Sequence, residues 1–512
     1  MYSVSYCAAV HGIDGCMIRV EADISEGLPG FSLVGFLSSE VKEARERVQI
    51  GMKNAGFSFP PKKITINLSP ADIRKGGTGY DLAIAVSVLT AFGYFPQEFI
   101  KHIVFIGELS LEGRIQPVHG VLPRVYTAYE NGMEYCVVPA ENVQEAGIVK
   151  GIGVVGISSL SELVSMLGKG ELRTESVFCP VNGVQQEEAL DFRDVNGQKT
   201  VRRAIEVSVA GMHNLLMIGP PGSGKTMLAK RIPGIMPELS FEEQMEISKI
   251  YSVAGMLSAE QPFVKRRPFR EPHHTVTQKA LVGGGRLPKP GEVSLASGGV
   301  LFLDELAEFQ RQTIEVLRQP LEDGYVTVSR MDGNYRYPAK CQLVAAMNPC
   351  RCGFYPDRKK CNCTSFQIKG YLNKISQPML DRMDICAETV PLSYQDFHQE
   401  GSLINEPSSV IRERVVKAQE IQNVRYKEEE IFHNTQLTPA LLEKYCVLEK
   451  EAQEYLKEAF CKLEFSARAY HKILKVSRTV ADLAGKDKIE RVHVAEAVCY
   501  RMLDKKYWGR EC

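Results

Sequence analysis

The sequence has no excess of charge. Its 512 residues carry 62 Lys plus Arg against 62 Asp plus Glu. No whole-protein field draws it to polyanions, so any nucleic-acid surface must be local. It also lacks a long hydrophobic run. The longest, residues 82–95, is interrupted by Ser, Thr and Gly and is too short to span a bilayer. The opening Met1-Tyr2-Ser3-Val4-Ser5 has neither the basic nor the apolar stretch of a secretory signal, so the expected location is the cytoplasm, away from membranes. The 14 cysteines are scattered through a long chain. That argues against a disulfide framework and, where they cluster, for metal or redox chemistry. No internal repeat of roughly 20–50 residues and no low-complexity tract is present.

What remains is a globular composition, 44% hydrophobic and 24% charged, long enough for about two to four domains. Residues 1–170 alternate short β-rich runs with amphipathic helices: Ile64-Thr65-Ile66-Asn67-Leu68 reads as a strand, residues 41–55 as a helix, and Val137-Val138-Pro139 as a strand end. Residues 171–188 are polar and contain Gly and Glu, and read as a linker. From 189 to 391 the strand–loop–helix order of an α/β nucleotide-binding domain takes over. After a loop-like connection at 393–407, helical patterns dominate, so 392–512 is expected to form a helical domain.

The strongest motif follows the buried-strand run Leu215-Leu216-Met217-Ile218. It is Gly219-Pro220-Pro221-Gly222-Ser223-Gly224-Lys225-Thr226, whose glycines let successive backbone N–H groups turn inward around phosphates. Lys225 is suited to the β/γ oxygens and the Thr226 hydroxyl to Mg²⁺. The helix expected at Met227-Leu228-Ala229-Lys230 aims its positive end at the same anion. About eighty residues on, Val300-Leu301-Phe302-Leu303 ends in Asp304-Glu305. Asp304 is placed to hold the Mg²⁺ shell and Glu305 to orient and deprotonate an attacking water. A third apolar strand, Gln342-Leu343-Val344-Ala345-Ala346-Met347, ends in Asn348, whose amide can hold the water and the γ-phosphate. The sequence therefore points to an ATP·Mg²⁺ hydrolase.

These residues resemble a family. Pro290-Gly291-Glu292-Val293-Ser294-Leu295-Ala296, together with Gly299 to Glu305, looks like the magnesium-chelatase-like AAA+ proteins. More closely, nearly the whole chain resembles the bacterial ComM (YifB) family, including Gly30-Phe31 with Val34-Gly35, Arg270-x-Pro272-His273-His274 and Ala346-Met347-Asn348-Pro349-Cys350. The resemblance implies an α/β fold: an AAA+ P-loop domain with a helical lid, preceded by an α+β Lon-protease-like domain. It implies a homo-hexameric ring with ATP at the subunit interfaces. Arg382, in Leu380-Asp381-Arg382-Met383-Asp384, matches the arginine finger, and Arg468, in Ser466-Ala467-Arg468-Ala469, matches the sensor-2 arginine.

Two basic inserts could touch a polymer. Residues 325–330 and 335–338 flank Met331-Asp332-Gly333-Asn334 and read as a β-hairpin. Arg330 and Arg336 near its tip suit phosphates, and Tyr335 suits a base stack; a solvated hairpin is the other reading. Residues 265–289 carry seven Lys and Arg against the single acid Glu271. Gly283-Gly284-Gly285 is expected to make that stretch mobile, with Arg270, His273 and His274 facing a pore or serving as a structural element. Cys350-Arg351-Cys352 and Cys361-Asn362-Cys363, eight residues apart, have the donor set for a closed Zn²⁺ site on a short basic knuckle; free or redox-active thiols are the alternative. On spacing alone, Cys361→Ser should loosen residues 350–363 and spare nucleotide binding.

In the N-terminal region, Phe105-Ile106-Gly107-Glu108-Leu109-Ser110-Leu111 with Gly113-Arg114-Ile115 and Gly120 is similar to the proteolytic domain of Lon. A Ser–Lys dyad needs both groups. Alignment puts Gly79 at the serine position and Leu122 at the lysine position, and no serine lies between Ser69 and Ser87. A non-proteolytic domain is expected. Three functions follow from the resemblance. The first is a DNA motor acting on single-stranded and branched DNA, a helicase that drives branch migration during natural transformation alongside recombination proteins. The second is a chelatase-like ATPase subunit. The third is a protein-remodelling AAA+ ATPase, for which the long basic interval before Asp304 is a poor fit.

Overall fold

The computed structural model describes residues 1–58, 60–174, 190–285, 288–330, 333–391 and 405–509. The expected linker and the 393–407 connection lie largely outside these residues, as do Arg286 and the hairpin-turn residues Met331 and Asp332.

The N-terminal unit is built on a seven-stranded sheet. In β1 (Tyr2–His11) and β2 (Asp14–Ser25) inward and outward residues alternate, because a strand that buries one face must be apolar at every second position. The two pair antiparallel from Tyr2 opposite Asp23 to His11 opposite Asp14, and the turn closes at Gly12, whose φ of 68° suits glycine. With β3 (Gly30–Val34), β4 (Lys63–Ser69), β5 (Ile103–Phe105), β6 (Tyr135–Pro139) and β7 (Gly153–Ile157), the order is β3-β4-β2-β1-β5-β6-β7. Helix α1 (Ser39–Asn54) starts where the Ser38 side chain accepts from the Val41 N–H. The apolar run at 82–95 becomes α2 (Asp81–Ala91), every residue of which is buried; it is the core helix of the unit. Among the described residues no helix is long and apolar enough to cross a membrane.

Helices α3 (Val121–Glu130) and α4 (Leu160–Lys169) complete this unit. A side chain added at Gly79 would meet the Arg124 guanidinium at 2.1 Å, and Leu122 is fully buried. Arg124 therefore fills the place that a nucleophile at 79 would need.

The second unit has a five-stranded parallel sheet. Strands β8 (Leu215–Ile218), β10 (Val300–Leu303) and β13 (Gln342–Met347) are buried throughout. They read as unbroken apolar runs because both sheet faces are covered. With β9 (Phe269–Arg270) and β14 (Ile385–Glu388), the order is β9-β10-β13-β8-β14. Helix α5 (Lys199–Gly211) precedes β8. Helix α6 (Lys225–Ala229) follows the P-loop, starting two residues before the expected Met227 and ending one before Lys230. Helix α7 (Phe241–Ala254) opens with a reciprocal cap between Ser240 and Glu243. The hairpin forms from β11 (Tyr325–Arg330) and β12 (Gly333–Pro338).

The C-terminal helices α8 (Ser408–Arg425), α9 (Ala467–Leu483) and α10 (Arg491–Trp508), with shorter ones between, pack on α5 through one apolar core. Inside it Asp482 is fully buried, held by Arg425 and Arg478 and by the Asn434 amide at 2.9 Å. A buried carboxylate is tolerable only with such full pairing.

The two α/β units meet at α3 and α7. The Gly120 N–H donates to the Ser252 carbonyl at 3.1 Å. The Ser252 hydroxyl donates to buried Glu145, which also accepts the Leu122 N–H. The Lys249 ammonium sits 3.7 Å from the Tyr126 ring centre.

Candidate nucleotide site and its cysteine knuckle

The P-loop joins the C-terminal end of β8 to α6. Gly222 and Gly224 adopt φ of 73° and 83°, a region that suits glycine. A Cβ on either would meet no atom within 4 Å, so the loop walls an open cradle. Gly219 is required for a different reason: a side chain there would meet the Thr389 hydroxyl at 1.9 Å. Thr389 in turn hydrogen-bonds Ser223 at 2.7 Å, which fastens the loop to the end of β14.

Three chemical groups converge on the cradle. The Lys225 ammonium donates to the carbonyls of Gly219 and Pro220 at 2.8 and 2.9 Å and to the Asn348 side-chain oxygen at 3.2 Å. The Thr226 hydroxyl donates to Asp304 at 2.6 Å, so the two expected Mg²⁺ ligands lie side by side. Glu305 follows at φ 51°, a strained backbone for a residue with a side chain, of the kind that concentrates at functional sites. Its carboxylate is exposed and 3.6 Å from the His274 ring. Burial pushes the Lys225 ammonium down to about 8, while Asp304 and Glu305 pull it up.

Sequence reasoning misses two neighbours. The Gln198 amide donates to the Ser223 carbonyl at 3.2 Å and to the Val390 carbonyl at 2.6 Å, clamping the loop from the start of α5. His274, expected to face a pore or to be structural, is brought by the fold to Glu305, its ring tilted against that of His273 at 4.1 Å between ring centres. An Asn-Gly-Gln run and a His pair carry no local signal for these contacts.

Arg382 and Arg468 lie elsewhere. Asn214 opens β8: its carbonyl accepts the N–H groups of Asp384 and Ile385, and its amide donates to the Arg382 carbonyl at 3.0 Å. Both arginines belong to this N-terminal edge of the sheet. Arg382 pairs with Glu322, and Arg468 with Asp381 at 3.2 Å. The P-loop leaves the opposite edge, roughly 16 Å away along the strand at about 3.3 Å per residue.

The expected polymer contacts are partly engaged within the chain. Arg270 makes a two-point ion pair with Glu292 at 2.7 and 2.9 Å, and Arg267 binds Glu243 and the Gly298 carbonyl. Tyr335 stacks on His11 of the N-terminal unit at 4.5 Å, and His11 bonds the Asn334 carbonyl at 3.1 Å. Arg336 lies 3.5 Å over the Tyr325 ring, and Arg330 donates to the Gly285 carbonyl at 3.1 Å. Both of these arginines remain exposed. The glycine stretch differs from expectation. Gly283 and Gly284 pair with Pro290 and Lys289 in a short antiparallel ribbon. A Cβ at Gly283 would meet the Lys289 carbonyl at 2.6 Å, so close backbone approach, rather than mobility, accounts for that glycine.

The four cysteines 350, 352, 361 and 363 come together, with their sulfurs all within 4.8 Å of one another. Three separations are 3.3, 3.7 and 3.5 Å. These are far longer than a disulfide and close to the edge of about 3.8 Å expected for a tetrahedron with metal–sulfur bonds of about 2.3 Å. The knuckle is not separate from the nucleotide site: a Cβ on Gly353 would lie 2.4 Å from Pro221 of the P-loop.

Comparison with known proteins places this architecture. The description "Magnesium chelatase, subunit ChlI" matches residues 191–397, "Subunit ChlI of Mg-chelatase" residues 20–142, and the C-terminal part of the same subunit residues 405–501. The chain is 42% identical to the competence protein ComM of Haemophilus influenzae over 98% of its own length and 97% of that protein. The chain belongs to the ComM family of magnesium-chelatase-like AAA+ proteins. The YifB protein of Escherichia coli is 40% identical, again over 98% and 97% of the two chains. A weaker likeness to the Lon protease of Trichlorobacter lovleyi, 20% identical, covers 30% of this chain. Family membership implies ATP and Mg²⁺ at the site just described.

Proposed function

We propose that this ComM-family chain is an ATP-driven DNA motor that works as a homo-hexamer on single-stranded and branched DNA, with helicase and branch-migration activity in the recombination of incoming DNA. The observation that carries the reading is the split of one site over two edges of one sheet. Lys225, Thr226, Asp304, Glu305 and Asn348 gather at the C-terminal edge, and Arg382 with Arg468 stands at the other. Neither arginine can serve its own P-loop across that sheet, whereas a ring brings them to a neighbour's.

In this reading the loop N–H groups and Lys225 bind the β/γ phosphates, and Thr226 and Asp304 hold Mg²⁺, which screens their charge. Glu305 takes the proton of the attacking water, His274 holds that carboxylate, and Asn348 orients the γ-phosphate. Exposed Arg330 and Arg336 grip the DNA backbone. Arg270, committed to Glu292, is a weaker candidate for that grip, and Tyr335 must leave His11 to stack on a base. The four-thiol knuckle holds Zn²⁺.

The relative named for competence supports the DNA reading, because the match to it runs nearly end to end. A magnesium-chelatase subunit from Cyanophora paradoxa is 24% identical over only 45% of this chain, a far shorter match than the one to the competence protein, although a chelatase-subunit description also matches residues 20–142. ATPase rate measured with and without single-stranded and forked DNA separates the readings. Stimulation by DNA is expected; a rate indifferent to both DNAs argues for the chelatase-like or protein-remodelling alternatives.

A further inference from the structure

The cysteine knuckle reaches the nucleotide site at two points. It begins two residues after Asn348, whose side chain accepts from Lys225. Its Gly353, at φ 86°, packs against the Pro221 ring with no room for even one methyl group. The helix that leaves it, Ser365–Leu372, buries Tyr371 in the same apolar cluster as Cys350 and Cys361. Yet the knuckle has almost no core of its own. Arg351, Phe354 and residues 356–360 are exposed, and what is buried is chiefly the sulfurs of Cys350 and Cys361 with the small Gly353. A loop with so little apolar surface needs another source of rigidity.

From this geometry we infer that a Zn²⁺ ion held by Cys350, Cys352, Cys361 and Cys363 is a structural part of the nucleotide site, and that its occupancy sets ATP affinity by fixing Pro221 and Asn348. The inference rests on the ATP-site reading above and adds a regulator to it. Metal between the four thiolates closes the knuckle. The closed knuckle props the first turn of the P-loop and holds Asn348 against Lys225. Without metal, the prop under residue 221 relaxes and the cradle loses its shape.

The test uses the full-length protein, zinc analysis and a fluorescent ATP analogue. As purified without chelator, wild type should carry about one zinc per chain and bind the analogue. Releasing zinc with an organomercurial thiol reagent should weaken binding about tenfold, a loss of about 1.4 kcal/mol, and thiol regeneration with zinc should restore it. Cys363→Ser should reproduce the weakened state; the Gly353–Pro221 contact thus reverses the expectation from spacing alone that losing a knuckle thiol spares nucleotide binding. Gly353→Ala keeps all four thiols and should keep the zinc, but its methyl group pushes on Pro221, so affinity should fall with metal in place. A zinc content near zero overturns the inference. So does full affinity in zinc-free protein or in Gly353→Ala, while leaving the ATP-site reading intact. Wild-type protein with full zinc and no affinity for the analogue overturns both.

Discussion

Lys225 shows how much of the chemistry is set at one residue. Its ammonium donates to the oxygens of Gly219, Pro220 and Asn348 and, at 3.5 Å, to the Ser223 hydroxyl, and a bound phosphate would compete for these same N–H groups. Lys225→Ala should abolish nucleotide binding, because the β/γ charge loses its point counterion. Glu305→Gln should bind ATP as wild type does and hydrolyse it at least about 100-fold more slowly; wild-type turnover in that variant would remove Glu305 from the role of base. The pH dependence follows from burial of the lysine. Its pKa is lowered to about 8, and phosphate binding needs the charged form and raises the pKa again. Affinity should therefore be full below pH 8 and decline as pH rises through that value, with proton uptake on binding at about pH 8.5–9. Calorimetry in buffers of different ionisation enthalpy measures that uptake; unchanged affinity between about pH 7 and 9 would contradict it. Legibility at this scale is uneven. Lys225, Thr226 and Asp304 announce themselves, because phosphate and Mg²⁺ binding demand fixed residue types at fixed spacing. Gln198 does not, since only the fold carries an ordinary amide to Ser223.

At the scale of elements, β8, β10 and β13 are legible to the residue, because a strand covered on both faces is an unbroken apolar run between polar ends. The hairpin β11–β12 is legible as well, from its alternation around Asp-Gly. What its side chains touch is not: the His11–Tyr335 stack joins residues from distant parts of the sequence. The docking of α7 on α3 is hidden for the same reason. Ser252 and Lys249 look like ordinary helix-surface residues until Glu145 and Tyr126 meet them. The hairpin nevertheless offers a sharp test. Replacing Arg330 and Arg336 together by Ala should weaken DNA binding and flatten its salt dependence by about one unit for each phosphate no longer neutralised. DNA-independent ATPase should stay near wild type. A double variant that separates forked DNA as well as wild type would show that the grip lies elsewhere.

For the whole molecule, the proposed function divides the catalytic groups between two sheet edges, and under it a lone chain is an incomplete enzyme. Arg382→Ala and Lys225→Ala should each be inactive alone, since an arginine supplied by a neighbour accounts for about 10³–10⁵ in rate in other NTPases. Mixed together they should regain part of the activity, because some interfaces then pair an intact P-loop with an intact arginine. Absence of any recovery in rings shown by mass to contain both variants would mean that Arg382 acts within its own chain or not at all. Zero net charge adds a constraint at this scale. Attraction to DNA must come from local cations, so binding should be strongly salt-dependent and nearly indifferent to sequence. The most direct measurement is separation of forked DNA strands at fixed salt with ATP, by wild type and by Glu305→Gln. Wild type should separate the strands and hydrolyse ATP faster in their presence, and Glu305→Gln should bind the fork without opening it. A wild-type protein that hydrolyses ATP while neither binding nor opening the fork would contradict the account.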